Sequence, residues 1–192
     1  SDRLRLTPRV GRHAVGPVNV AVGFRTLEWS AMTLLTEALA RVRVVLVEPE
    51  YHGNLGQVAR AMRNFGLSRL TLVRGKADPA SDEARWYARA EGRIILDTAR
   101  RFPLLEEALA DCRTVIGTSR RVGHERGHGA APEEVFRETT PWAVPWDTAI
   151  VFGRESNGLY TPELDACQHH VVIPSDEGCP SLNLSHAVAV IG

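Results

Sequence analysis

Three separated segments of this chain set small polar residues and glycines beside an apolar run, an arrangement in which backbone amides and short side chains can meet a ligand. The first is Asn54-Leu-Gly-Gln-Val-Ala-Arg60. It opens a helix directly after a strand, where free N–H groups and the positive dipole end favour anions. Gln57, Arg60 and Asn64 share the polar face, so Arg60 projects beside the mouth of the strand. The segment either holds a phosphate or ribose or is a capped surface helix with solvated arginines. The second, Ile150 to Leu159, reads as a strand ending in Phe-Gly-Arg-Glu-Ser-Asn-Gly. Glycines on either side of Glu155 permit a tight turn in which backbone can approach a ligand, although an ordinary strand-to-helix turn explains them equally well. No Gly-Lys-Ser/Thr ending marks a P-loop, and Ser156 lacks the glycine spacing of a nucleophile elbow. The third runs from a strand, Val171 to Ile173, through the polar loop Ser175 to Pro180 and into a helix with Leu184, Ala187, Val188 and Ile191 on one face. Ser181, Asn183 and Ser185 cap that helix or touch a cofactor, and capping is the commoner use of such residues.

The elements that must position these segments follow from periodicity. Apolar runs at Val44–Val47, Leu70–Val73, Ile94–Leu96, Val115–Ile116, Ile150–Phe152 and Val171–Ile173 predict strands. Because they are continuous rather than alternating, they suit a parallel sheet buried on both faces, which makes the chain an α/β layered domain. Leu55, Val58, Ala59, Met62 and Phe65 fall on one face of a helix over Asn54–Phe65, with Asn54 as N-cap and Gly66 as its stop. Further helices are expected over about Ser81–Arg89 and Leu104–Ala110, and from Pro132 and Thr161. Val122 to Ala131, with His124, Arg126 and His128, has no period and reads as a loop. Residues 1–40 alternate poorly and are broken by Pro8, Gly11, Gly16, Pro17 and Gly23, so they are expected to be an extension upstream of a domain at 41–192. An amphipathic stretch, Leu34 to Leu39, leads into the first strand.

A chain of 192 residues, 44% apolar, can bury one full core. Its 23 basic and 23 acidic residues balance, so any nucleic-acid contact must come from a local patch. The odd count of three cysteines, none in C-x-x-C spacing, argues against a disulfide framework and a zinc ribbon and fits a reducing cytoplasm. No metal site is expected: His169 and His170, near Cys167 and Cys179, would point to opposite faces of a strand. No apolar run reaches the ~18 residues of a membrane span. Trp142 and Trp146, framed by Pro141 and Pro145, read as a packed corner.

Taken jointly, the three segments resemble the three motifs of the SPOUT (SpoU/TrmH-type) RNA 2′-O-ribose methyltransferases, and within that superfamily the TrmJ-like tRNA methyltransferases. The likeness runs from about Arg43 to Ile191 and includes Val44-Val-Leu-Val-Glu48, Asn54 to Gly66, Ile116-Gly-Thr-Ser-Arg120 and Ser181-Leu-Asn-Leu184. It implies a parallel α/β sheet flanked by helices whose C-terminal part forms a deep trefoil knot, an exception to the usual ban on knots. It also implies S-adenosylmethionine as cofactor, held by Thr118, Ser119, Arg120, Gly153, Glu155, Gly158, Ile173, Ser181, Leu182 and Asn183. Arg60 would be the main catalytic residue with Asn54 beside it, and Ser181 or a water is left as the base. The implied protein is a cytoplasmic homodimer acting on RNA, tRNA before ribosomal RNA. The family's last helix runs longer than the one here, so a shortened final helix is expected, and a non-catalytic RNA-binding module is the alternative function.

Overall fold

The computed structural model describes residues 32–119, 129–139 and 145–191. Arg120, the loop 122–128, Trp142 and residues 1–31 lie outside the described residues. The chain divides into two compact units, residues 1–33 and 34–192, and the fold below is that of the second.

Helix α1 (32–39) leads into β1 (Val42–Val47), followed by α2 (His52–Asn64), β2 (Arg69–Val73), α3 (Asp82–Asp97), β3 (Arg100–Phe102), α4 (Leu105–Leu109), β4 (Thr114–Ser119), α5 (Pro132–Thr139), β5 (Thr148–Phe152), α6 (Thr161–Asp165), β6 (His169–Val172) and α7 (Leu184–Ile191). The strands form one six-stranded sheet in the order β3-β2-β1-β5-β4-β6, and every pairing is parallel. The continuous apolar runs are explained by layers on both faces. Val44, Leu46, Leu70, Leu72, Ile150 and Phe152 face α2, α3 and α7. Val45, Val47, Val73, Val115, Ala149 and Val151 face α4 and α6.

Helix α2 has the apolar stripe its spacing predicts. Leu55, Val58 and Met62 are 0% exposed, and burying such a side chain contributes roughly 1.5–3 kcal/mol. Its closest neighbour is α3: a Cβ on Gly56 would collide with the carbonyl oxygen of Ala84. The helix stops where expected, with Gly66 left-handed at φ 75 just beyond the C-cap Phe65. Phe65 itself leaves the stripe and is 42% exposed.

Four expectations are corrected. Ile94–Leu96 is not a strand but the last turn of α3, which is why Ile95 and Leu96 are buried at 2% and 3% while Ile94 is 59% exposed. The shorter helix read from sequence, ending at Arg89, stops at a real kink, since Arg89 has φ 58 inside α3. The third strand is instead Arg100–Phe102, an edge strand paired only with β2, so it needs no continuous apolar run. Finally, Asn54 does not cap α2. Tyr51 occupies that position without a side-chain cap bond, and the Asn54 side chain is engaged elsewhere.

A buried arginine anchors the end of the sheet where the strands begin. Arg43 in β1 is 1% exposed. It donates to Asp111 through both terminal nitrogens at 2.6 and 2.7 Å and to the Ala108 carbonyl at 2.7 Å, so β1 is tied to the end of α4. Beside it Arg69 pairs with Asp147 at 2.6 Å. Burial pushes the Cys167 thiol up to about 12, which makes it a small apolar core residue rather than a nucleophile.

The Arg43 hydrogen bond holds the Asp111 carboxyl at about 2, below its ordinary 3.8. With the folded value below the unfolded one, the pair supports the fold above about pH 4, and that support drains away as the pH falls toward about 2. Asp111→Asn is therefore expected to be less stable than the parent at neutral pH and to lose less of its stability over that acid window. Urea midpoints measured at each pH check this, and parallel acid profiles for the two proteins would remove Asp111 from the role.

Candidate functional site

β1 and β5 pair side by side, yet the chain leaving β1 turns to α2 and β2 while the chain leaving β5 turns to α6 and β6. Loops that part from adjacent strands open a crevice at the carboxyl end of a parallel sheet, the usual place for a ligand. All three segments singled out in the sequence meet there.

Glu155, in the loop after β5, is the hub. Its Oε2 accepts from the Glu50 backbone N–H at 2.9 Å and its Oε1 from Asn54 Nδ2 at 3.0 Å. Asn54 Oδ1 accepts in turn from Asn183 Nδ2 at 3.0 Å. Asn183 Oδ1 accepts from the Ser185 amide at 2.9 Å and its hydroxyl at 2.8 Å, so Asn183 caps α7 while its other amide end reaches α2. Gln57 Oε1 lies 3.0 Å from Ser185 Oγ and closes the set. The relay thus joins the helix after β1, the loop after β5 and the start of α7, segments 101 and 129 residues apart.

Thr118 and Ser119 end β4, where Thr118 Oγ1 donates to the Val151 carbonyl at 3.0 Å. Ile173 is half-buried just beyond β6, and Ser181 and Leu182 are exposed in the loop before α7. Arg60 is exposed on α2, and among the described residues no hydrogen bond or ion pair ties it to the relay. Arg120 lies outside the described residues. His170, read as lying within a strand, has its Nε2 2.9 Å from the Leu164 carbonyl, which accepts from the Nε2–H tautomer. Trp146 packs as a corner residue, its indole donating to Thr114 Oγ1 at 2.7 Å with the Arg113 guanidinium 4.4 Å from its ring.

The glycines of the second segment act differently from the sequence reading. A Cβ on Gly153 would run into the backbone of Gly158 and Leu159, because the loop folds back on itself through Arg154 and Gly158, whose backbones exchange bonds at 3.2 and 2.9 Å. Close approach here is of the chain to itself. Gly158, at φ 69, has nothing within 4 Å of where a Cβ would sit.

Sequence reasoning missed the support beneath this loop. Arg154 is 7% exposed. It donates to Glu48 at 2.8 Å, to both oxygens of Glu163 at 2.9 and 2.8 Å, and to the Gly158 carbonyl at 3.3 Å, with Tyr160 stacked 4.0 Å from its guanidinium. Hydrogen bonds, first from Glu163 and then from Glu48, push the Arg154 pKa up against the opposing effect of burial. The same contact holds Glu48 below the usual carboxylate range, helped by Arg74, which pairs with Glu48 at 2.9 Å. Glu48 and Arg74 both have left-handed backbone, at φ 50 and 56, strain that the ion pairs hold in place. Successive residues of the loop thus serve opposite directions, Arg154 toward Glu48 and Glu163 and Glu155 toward α2. The available signal was the capping pattern at Thr161-Pro-Glu163, where Glu163 also accepts from the Tyr160 amide at 2.8 Å.

The sequence profile of the SpoU rRNA methylase family matches residues 41–192. The chain belongs to that family. Among its relatives, the tRNA (cytidine/uridine/adenosine-2′-O-)-methyltransferase TrmJ of Pseudomonas aeruginosa (strain UCBPP-PA14) is 45% identical over 155 residues, a match covering 80% of this chain and 59% of that protein. The tRNA (cytidine-2′-O-)-methyltransferase TrmJ of Methanocaldococcus jannaschii is 40% identical over 153 residues, covering 78% of this chain and 65% of that one. Among solved structures, a probable methylase family protein from Haemophilus influenzae Rd KW20 superposes with a TM-score of 0.74 at 37% identity, covering 80% of this chain and 64% of its own. The chain therefore spans about three-fifths of the length of these SpoU-family relatives. No helix among the described residues is long and apolar enough to cross a membrane.

Removing Arg154 would strip the half-buried Glu163 of its two short bonds and leave Glu48 and Glu163 with the half-exposed Arg74 as their cation, 2.9 and 4.0 Å away. Arg154→Ala is expected to lower unfolding free energy by about 3–5 kcal/mol, read by urea denaturation. A loss under about 1 kcal/mol, the range of an exposed pair, would show that the network does not hold the loop. Gly153→Val is expected to abolish the folded loop and ligand binding together, and a protein of unchanged melting temperature would contradict the close approach seen here.

Proposed function

We propose that this chain is a S-adenosylmethionine-dependent RNA 2′-O-methyltransferase acting on tRNA, with residues 41–192 as its catalytic domain. The observation that carries this reading is the relay joining Asn54, Glu155 and Asn183 at the crevice between β1 and β5. The named activities of the tRNA 2′-O-methyltransferase relatives support it, as does an rRNA methyltransferase of the same fold, solved with AdoMet bound.

The residues present suit the cofactor. Half-buried Ile173 and exposed Leu182 give apolar walls for a purine, the loop before α7 offers backbone groups, and the space beside Gly158 is open. Thr118, Ser119, Arg120, Gly153, Gly158, Ile173, Ser181 and Leu182 would hold it from three loops. When bound, S-adenosylmethionine supplies a methyl group on an electrophilic sulfonium. Everything else is positioning, since an in-line displacement needs the ribose oxygen held at the right distance and angle.

Arg60 meets the phosphate beside the target ribose and stabilises the negative charge that develops on its 2′-oxygen. A guanidinium stays charged at any working pH, so it orients rather than accepts the proton. The proton goes to water, directly or through Ser181, whose hydroxyl passes one proton on as it receives another. Asn54 and Glu155 act through geometry, since their polar atoms are already engaged with one another. Arg60 stands apart from the relay of its own subunit, which suits a homodimer whose RNA site draws on both copies. Apolar groups left open on α1 and α7, Leu34 at 65% and Val190 at 56% exposed, suit the same assembly. The return of the chain from the edge strand β6 to α7 on α2 fits a C-terminal trefoil knot, and a tRNA substrate fits a cytoplasmic protein.

Arg60→Ala is expected to lower methyl transfer to tRNA by at least about 100-fold, the effect of losing one charge-stabilising donor. Its affinity for S-adenosylmethionine should stay within about twofold of the parent, as for a residue acting only on the transition state. Labelled-methyl incorporation and calorimetric titration give the two numbers. Activity near the parent's would remove Arg60 from its role, and a parent that binds no S-adenosylmethionine would overturn the proposal.

A further inference from the structure

Beside the site lies a group of exposed aromatic side chains that neither the core nor the relay uses. Trp86 is 56% exposed, Tyr87 37% and Tyr51 60%. Trp86 and Tyr87 meet edge to face with centroids 4.9 Å apart, and the Arg89 guanidinium lies 4.6 Å from the Trp86 ring. This group continues directly into α2. A Cβ on Gly53 would lie 3.2 Å from the Tyr87 ring, and one on Gly56 would lie 2.9 Å from the Tyr87 Cβ. Tyr87 therefore flanks the turn of α2 that carries Asn54. One turn further along, the Arg60 backbone packs on Gly92 of α3, so Arg60 rises from the same helix pair.

Three features set what this surface can bind. First, its guanidiniums are available: none of the ion pairs among the described residues includes Arg60, Arg63 or Arg89. Second, the carboxylate of Glu83 lies beside Gly53, so the patch next to Tyr87 is not a broad cationic field; it offers ring faces, with one cation at Arg89 over Trp86 and another carried by Arg60 on the same helix pair. Third, Arg89 takes its place over Trp86 from a left-handed backbone conformation at φ 58 within α3. Interleaved rings and unpaired guanidiniums match a nucleotide, which brings a flat π face and an anionic phosphate together. A paired base cannot present that face, because it is stacked within its helix.

We propose that Trp86 and Tyr87, backed by Arg89, form a stacking surface for an unpaired nucleotide neighbouring the ribose that is methylated. The inference rests on RNA being the substrate and adds which part of it is read: the enzyme selects a ribose in a single-stranded loop because the adjoining base must be splayed onto α3. Trp86 is a specificity residue here and touches neither cofactor nor reacting atoms.

The test uses the whole chain and two fluorescein-labelled RNAs, a hairpin with an unpaired loop and a blunt duplex of the same stem. Trp86→Ala is expected to weaken hairpin binding about tenfold, as for loss of one base stack, and to leave duplex binding within about twofold. Trp86→Phe, which keeps a ring, should restore most of the affinity. Equal hairpin affinity for Trp86→Ala and parent overturns the inference, as does an equal loss on both RNAs or a parent that binds neither. A change of sedimentation coefficient in Trp86→Ala with RNA affinity intact also overturns it, by making the patch a contact between subunits. Failure of the enzymatic reading is seen separately, in the parent's own S-adenosylmethionine titration and methyl incorporation, which do not involve Trp86.

Discussion

A carboxylate can only accept hydrogen bonds, and in this protein that limitation sets the direction of the bonds that run from Glu155 through Asn54 to Asn183. Glu155 faces the Asn54 side chain, so Asn54 must offer its Nδ2, which turns its Oδ1 outward. Only a donor can meet that oxygen, and Asn183 supplies its own Nδ2, leaving its Oδ1 for the first turn of α7. Each amide is thus locked in one of its two orientations by its neighbour, a chain of choices that ends at an acid. The loop after β5 is where the order originates.

That loop is in turn a product of the two ends of the sheet's central strands. Two arginines buried at 1% and 7% exposure stand at opposite ends of the strands, Arg43 where they begin and Arg154 where they finish. Each is gripped by a carboxylate distant in sequence, Asp111 for Arg43 and Glu48 for Arg154. Each desolvated guanidinium accepts only the arrangement that returns its hydrogen bonds, so both select which elements may meet more than they add to stability. At the foundation, Arg43 joins β1 to α4. At the working end, Arg154 leaves its neighbour Glu155 pointing the other way, toward α2.

Most of the layered architecture was legible in the sequence because continuous apolar runs have few physical solutions, and the α2 stripe was readable from Leu55 to Met62. What misled was locality. Ile94–Leu96 has strand-like composition, yet three residues cannot distinguish a strand from the end of a helix, and a backbone kink at Arg89 hid the continuity. Arg100–Phe102 is polar because it is an edge. Asn54 has the chemistry of a cap and is used for something else, since Glu155, 101 residues away, competes for its amide. Gly153 was readable as a place of close approach, but not what approaches. Arg154 and Glu48 were out of reach altogether: each looks like a surface charge until the partner is known.

The 129-residue separation between Asn54 and Asn183 bears on how the molecule comes into being. Contacts so remote cannot guide early collapse, because the entropy of closing such long loops must be met before the contact gives anything back. The α2–α3 pair and the β1–β2 pairing join near neighbours, whereas the β1–β5 pairing, Val42 with Thr148, and the crevice both wait on long loops being closed. A chain in which α2 and α3 have already packed can therefore still lack its binding cleft, which needs Asn183 brought back onto Asn54.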